Sequence, residues 1–178
     1  MKNFIVTIAL VLLASIMLVG QEDVNIMQRQ SFIAKDTTDQ MAAAAGTAIK
    51  DDMYGEGYIY YDYEEGVRRA AYTLQENLVY SSSYMPGGNY YSDPATVYVY
   101  FFDDSNIGQI YRNGTFIRSF SFNYGDSGSS YIPDIRDDFT IKQACVYCSF
   151  DAGKPRLRLA AAVNKGHIKK ESVYEYLD

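Results

Sequence analysis

"VNIMQRQSFIAKDTTDQMAAAAGTAI", residues Val24 to Ile49, decides how this chain is built. It holds no proline and no loop cluster, so a helix that enters at Val24 meets no breaker before Gly46. Ile26, Ile33, Met41, Ala44, Ala48 and Ile49 recur mostly at intervals of three, four or their sums, while Arg29, Lys35, Asp36 and Asp39 fall largely elsewhere. That is an amphipathic helix pattern. Ile33, Met41, Ala44, Ala45 and Ala48 form the expected contact face, and most of them are small enough to let another backbone approach closely. Helix propensity alone, with alanine filling positions that touch little, accounts for the same tract. The spacing leaves open whether the close partner is the chain's own remainder or a neighbouring subunit.

On the N-terminal side, "MKNFIVTIALVLLASIMLVGQED" has one lysine, an uncharged apolar run from Phe4 to Gly20, and a polar stop at Gln21, Glu22 and Asp23. As a helix the run spans about 25 Å against a hydrocarbon core of roughly 30 Å. It is long for the apolar part of a signal peptide, and a cut after Gly20 would put Leu18 where a small residue belongs. An uncleaved signal anchor is the expectation, with a cleaved signal peptide as the alternative. Lys2 precedes the run and acids follow it, which places the N-terminus in the cytoplasm and the chain from residue 21 onward outside. The expected plan is a single-pass cell-membrane protein: anchor at 1–20, a helix rising from the membrane at 21–50, and an exported extracellular domain at 51–178.

On the C-terminal side, "EEGVRRAAYTLQENL" repeats the helical period, with Val67, Ala70, Ala71, Leu74 and Leu78 in one stripe and Glu64 and Glu65 at the positive N-terminal end. "SSSYMPGGNYYSDP" then breaks the pattern. "ATVYVYFF" reads as a strand, and "IGQIYRNGTFIRSFSF" as two more joined at Asn113-Gly114, a dipeptide suited to a tight hairpin. "DFTIKQACVYCSF" and "RLRLAAAVN" are two further strand candidates. The fold class is α+β: a long N-terminal helix, then a second helix packed on an antiparallel sheet.

The chain of 178 residues has a formal net charge of -6, which argues against nucleic-acid binding. It contains 18 Tyr, 9 Phe and no Trp, a balance suited to half-buried strands. Tyr58 and Tyr60 are candidate contact aromatics for a sugar or peptide, with packing inside the fold as the plainer reading. Cys145 and Cys148 are the only cysteines; two buried thiols, a strained local disulfide and a redox pair are the alternatives. The one histidine, His167, lacks a nucleophile elbow and reads as exposed. Asp103, Asp104, Asp134, Asp137 and Asp138 have no calcium-loop spacing and read as solvated turn charges. Nothing here calls for catalysis, a metal or a cofactor.

Taken together, the apolar run, "NIMQRQSFIAKDTTDQMAAAAGTAI" and "DYEEGVRRAAYTLQENL" resemble the tight-adherence (Tad/Flp) pilus assembly proteins of the TadE/TadG-like kind. The resemblance covers about the first 80 residues. It is carried by Asp39, Gln40, Met41 and Ala42 to Ala45, and by Ala70, Ala71 and Asn77 in the second helix. The Gly and Glu of a prepilin-peptidase site do not open the Phe4 to Gly20 run. The resemblance implies a membrane-anchored, minor-pilin-like accessory component of a surface filament or secretion apparatus. Its implied partners are the membrane and other pilus or secretion subunits, or copies of itself. The alternative function is a secreted or tethered Tyr-rich adhesive or ligand-binding domain.

Overall fold

With no breaker in its first 46 residues, the chain forms one helix, α1, from Lys2 to Gly46. The computed structural model describes residues 2–50, 57–88, 90–157 and 166–176, with side chains in α1 from Phe4 onward. A short connector follows, in which Lys50 N–H donates to the Tyr60 carbonyl at 2.9 Å and Asp62 N–H to the Ala48 carbonyl at 2.8 Å. α2, Tyr63–Leu78, starts on Asp62, whose side chain caps Glu65 N–H, and ends at Val79 in the left-handed region. Gly66, Val67, Ala70 and Leu74 are its buried residues, close to the stripe expected from sequence.

Five antiparallel strands follow: β1 (Thr96–Phe102), β2 (Ile107–Arg112), β3 (Thr115–Ser121), β4 (Cys145–Asp151) and β5 (Lys169–Glu175). Their spatial order is β3-β2-β1-β4-β5. Asn113 and Gly114 both have positive φ, as the β2–β3 hairpin requires. The sheet is buried on both faces at its centre. Val97, Val99 and Phe101 of β1 and Val146, Cys148 and Phe150 of β4 meet the two helices. Tyr100, Phe102, Cys145 and Tyr147 on the opposite face meet Phe122, Ile132 and Ile141 of the long β3–β4 connection. Alternation along β1 and β4 thus feeds two cores, and neither strand shows the polar face of a half-exposed sheet.

One expectation shifts. The strand expected from Asp138 begins only at Cys145, because residues 138–144 belong to the segment that covers the second face. The candidate "RLRLAAAVN" lies mostly outside the described residues, and Lys169–Glu175 forms a further strand. α1 contributes to the core of the head: Ala34, Met41, Ala42 and Ala45 share it with Val97, Phe101 and Phe150.

Candidate functional site

The first part of α1 is apolar and largely exposed. Phe4, Leu10, Met17 and Leu18 are each at least 60% exposed, and the helix contains a segment long and apolar enough to cross a membrane. Beyond it the same helix enters the head. Its buried positions include Asp23, Gln30, Ala34, Thr37, Thr38, Met41, Ala42 and Ala45, most of them three, four or seven residues from another, which keeps one side of an α-helix inward.

That stripe is rotated from the one expected. Of the expected contact face, Met41, Ala45 and Ala48 are buried, whereas Ile33 and Ala44 are only partly so. The close partner is the chain's own second helix. An added Cβ on Gly66 would stand 2.9 Å from the Phe101 ring and 3.1 Å from the Ala45 carbonyl oxygen, so the helices meet almost backbone to backbone. Further along, Asn77 Nδ2 donates to Gln40 Oε1 at 2.8 Å, and Arg69 reaches the Thr47 carbonyl at 3.2 Å. The structure therefore pairs Gln40 with Asn77 and, separately, sets Ala45 against Gly66.

The remaining candidates are placed plainly. Tyr58 is exposed and Tyr60 half-buried, with ring centroids 6.4 Å apart; both lie at the surface of the connector. Cys145 and Cys148 are buried free thiols on opposite faces of β4, so the local disulfide is not formed. Burial pushes Cys145 up to about 12 and Cys148 higher still. Neither is the thiolate that redox or nucleophilic chemistry needs. Alkylation at about pH 8 should add nothing to the native chain and label both thiols after unfolding, read by intact mass; native labelling would contradict this burial.

His167 is exposed, and its Nδ1 lies 3.0 Å from Asp151 Oδ2. Among the described residues no serine or cysteine is hydrogen-bonded to it, and no group of three or more His, Cys, Asp or Glu could hold a metal. Asn113 uses its side-chain amide within the hairpin, accepting from Val97 N–H at 2.7 Å and donating to the Ala95 carbonyl at 3.2 Å.

Asp103 departs most from the sequence reading. It is 0% exposed, not a solvated turn charge. Its carboxylate accepts from Tyr61 N–H, the Tyr63 hydroxyl and Ser105, while Asp104 accepts from Ile59 N–H and the Tyr124 hydroxyl. The β1–β2 turn thereby straps down the connector between the helices. Sequence alone could not separate this pair from the exposed Asp134, Asp137 and Asp138, because the Ile59, Tyr61 and Tyr63 donors lie 40 or more residues upstream and Tyr124 lies 20 downstream.

One cleft combines aromatic and polar groups: Tyr98, Tyr100, Tyr147, Ser149, Asp151 and Lys169 line a space of about 380 Å³ on the sheet face away from the helices. It can offer ring faces and hydrogen bonds but no arranged nucleophile and base. No family model, curated protein or solved structure matches this chain.

Proposed function

We propose that the protein is a membrane-anchored, outward-facing, non-catalytic component of a surface filament or secretion apparatus, held by the first part of α1. The observation that carries this reading is the continuity of α1: one helix has a wholly exposed apolar segment at one end and the core of the head at the other. Movement of the anchored segment is thereby coupled to the head without a flexible joint. The resemblance of about the first 80 residues to the Tad-type proteins adds the assembly role, and the buried thiols give no support to catalysis.

Alkaline carbonate extraction is expected to leave the full chain in the membrane pellet with Met1 or Lys2 at its N-terminus. Release of a chain starting near Gln21 would overturn the anchor. Phe32 is 75% exposed on α1 just beyond the anchor, so a photo-crosslinking residue placed there in cells should recover a multi-subunit species. Recovery of the protein alone would count against assembly.

The second reading, a tethered ligand-binding head, rests on the tyrosine-lined cleft and on the surface pair Tyr58 and Tyr60. Its test uses the full chain, because a fragment from residue 51 lacks Ala34, Met41 and Ala45 of the core.

A further inference from the structure

β5 runs beside α1 in a register that gives the head a membrane-near and a membrane-far end. Tyr174 covers Gly46, and the Glu171 carbonyl accepts from Lys35 at 3.0 Å. Where β5 begins, Gly166 to Lys170 face Met27, Gln28 and Phe32 across a cleft of about 520 Å³. The strand thus rises with α1, and residues 166–168, which lead into it, lie at the low end. Its other limb is at the same level: Tyr91, bridged to Pro155, donates to Gln30 at 3.2 Å, and Arg156 N–H donates to the Tyr90 carbonyl at 2.7 Å.

Rising about 1.5 Å per residue, α1 carries Met27 about 10 Å and Gln30 about 15 Å beyond Gly20. Asp23, about 5 Å beyond the same point, is itself 0% exposed. A bilayer that takes up Phe4 to Gly20 has a headgroup layer of about 5–7 Å on this side, directly against the low end of the head.

The run between β4 and β5 carries charge opposite to the chain's. The net charge is -6, yet the sequence from Ala152 to Lys170 contains no Asp or Glu. Lys154 and Arg156 are exposed and Lys170 is half-buried. The flanking acids are engaged: Asp151 holds His167, Glu171 holds Lys169, and Asp93 accepts from the Lys154 backbone at 3.3 Å. Among the described residues no ion pair takes the side-chain charge of Lys154, Arg156 or Lys170. Acids stand at both ends: Glu22 and Asp23 lie at the foot of α1, where Asp23 is buried, and Asp62, Glu64 and Glu65 open α2 beside the end of α1.

We propose that the face bearing Lys154, Arg156 and Lys170 rests on the anionic headgroups of the leaflet that anchors α1, an inference that depends on the anchor reading above. Attraction acts over roughly a Debye length of 8 Å, which the side chains span at these heights. Contact at a second point fixes the tilt and rotation of the head, which a single helix leaves free.

The chain has no Trp, so Tyr90→Trp, at an exposed position beside Arg156, provides a single indole reporter. The full chain is reconstituted in vesicles carrying a headgroup nitroxide lipid, either phosphatidylcholine alone or with about 30% phosphatidylglycerol. Quenching should be about twofold greater with the anionic lipid and fall to the neutral-vesicle level in roughly 0.5 M salt. K154E/R156E/K170E in the same background should abolish the gain. Equal quenching in the two vesicles, or an unchanged gain in the charge-reversed variant, overturns the proposal. Should that variant misfold, the salt titration of the parent still decides. Carbonate extraction of the same vesicles separates the two readings: a released chain defeats the anchor, whereas a retained chain with composition-independent quenching defeats only the lipid contact.

Discussion

Gly66→Leu is expected to lower the unfolding midpoint by about 6–12 °C, equivalent to roughly 3 kcal/mol in a chain of this size. Gly66 lies inside α2, where replacing glycine by alanine would ordinarily add up to about 1 kcal/mol through backbone entropy alone. Here sterics reverse the sign. A Cβ would stand 2.9 Å from Phe101 ring carbons and 3.1 Å from the Ala45 carbonyl, and the second of these cannot rotate away. Even Gly66→Ala should therefore destabilise, and Ala45→Leu, 0% exposed on the facing helix, should do so about as strongly as Gly66→Leu. Ala44→Leu is the control: Ala44 lines an open groove with Thr47, Arg69 and Tyr72, so its midpoint should move by no more than about 2 °C. Thermal melts of the four variants followed by circular dichroism test this, and stabilisation by Gly66→Ala would refute the close crossing.

This prediction also revises what the alanine tract means. A small apolar face after a membrane segment suggests contact with neighbouring subunits, and bulky substitutions there would then spare the head. In the fold, Ala42 and Ala45 are core residues of the head itself, so such substitutions strike folding before assembly. Surfaces left for a neighbour on α1 are those that the head does not cover, such as Phe32 and Val24.

What could be read from residues was what local period and turn chemistry encode. The unbroken α1, the α2 stripe and the Asn113-Gly114 hairpin all depend on interactions within a few residues, and each forms as expected. The inward positions of α1 also include Asp23, Gln30, Thr37 and Thr38, which a hydrophobic pattern discards. Two of these polar groups bury with partners, Gln30 accepting from Tyr91 and Thr38 donating to the Ala34 carbonyl at 2.7 Å, whereas the Thr37 hydroxyl is buried with no hydrogen-bond partner among the described residues. β5 escaped notice for a related reason. "KKESVYE" is mostly charged or polar, and only its pairing with β4 along seven residues makes it a strand. The acid-free run from Ala152 to Lys170 is legible in linear charge, but the placement of Lys154, Arg156 and Lys170 beside the foot of α1 is not.

Asp103→Ala should cost about 2–4 kcal/mol and lower the midpoint by roughly 4–16 °C. The carboxylate is fully buried, and its removal leaves the Tyr63 hydroxyl and the Tyr61 N–H facing a void where an acceptor stood. Orphaned donors cost more than the lost bonds were worth, because in the unfolded chain water satisfies them. Asp103→Asn keeps the volume and one acceptor oxygen but turns its other group into a donor facing donors, so it should fall between Ala and the parent. Tyr63→Phe removes one donor together with its demand and should cost only about 1 kcal/mol. The ordering Asp103→Ala, then Asp103→Asn, then Tyr63→Phe in denaturant melts is the diagnostic result. If Asp103→Ala is as mild as Tyr63→Phe, the turn does not strap the connector. The consequence reaches beyond stability: the connector that Asp103 and Asp104 hold also carries the surface pair Tyr58 and Tyr60 and joins the end of α1 to α2. Loosening it should free the two helices at their crossing, so Asp103→Ala combined with Gly66→Ala is expected to be less destabilising than the sum of the two single changes.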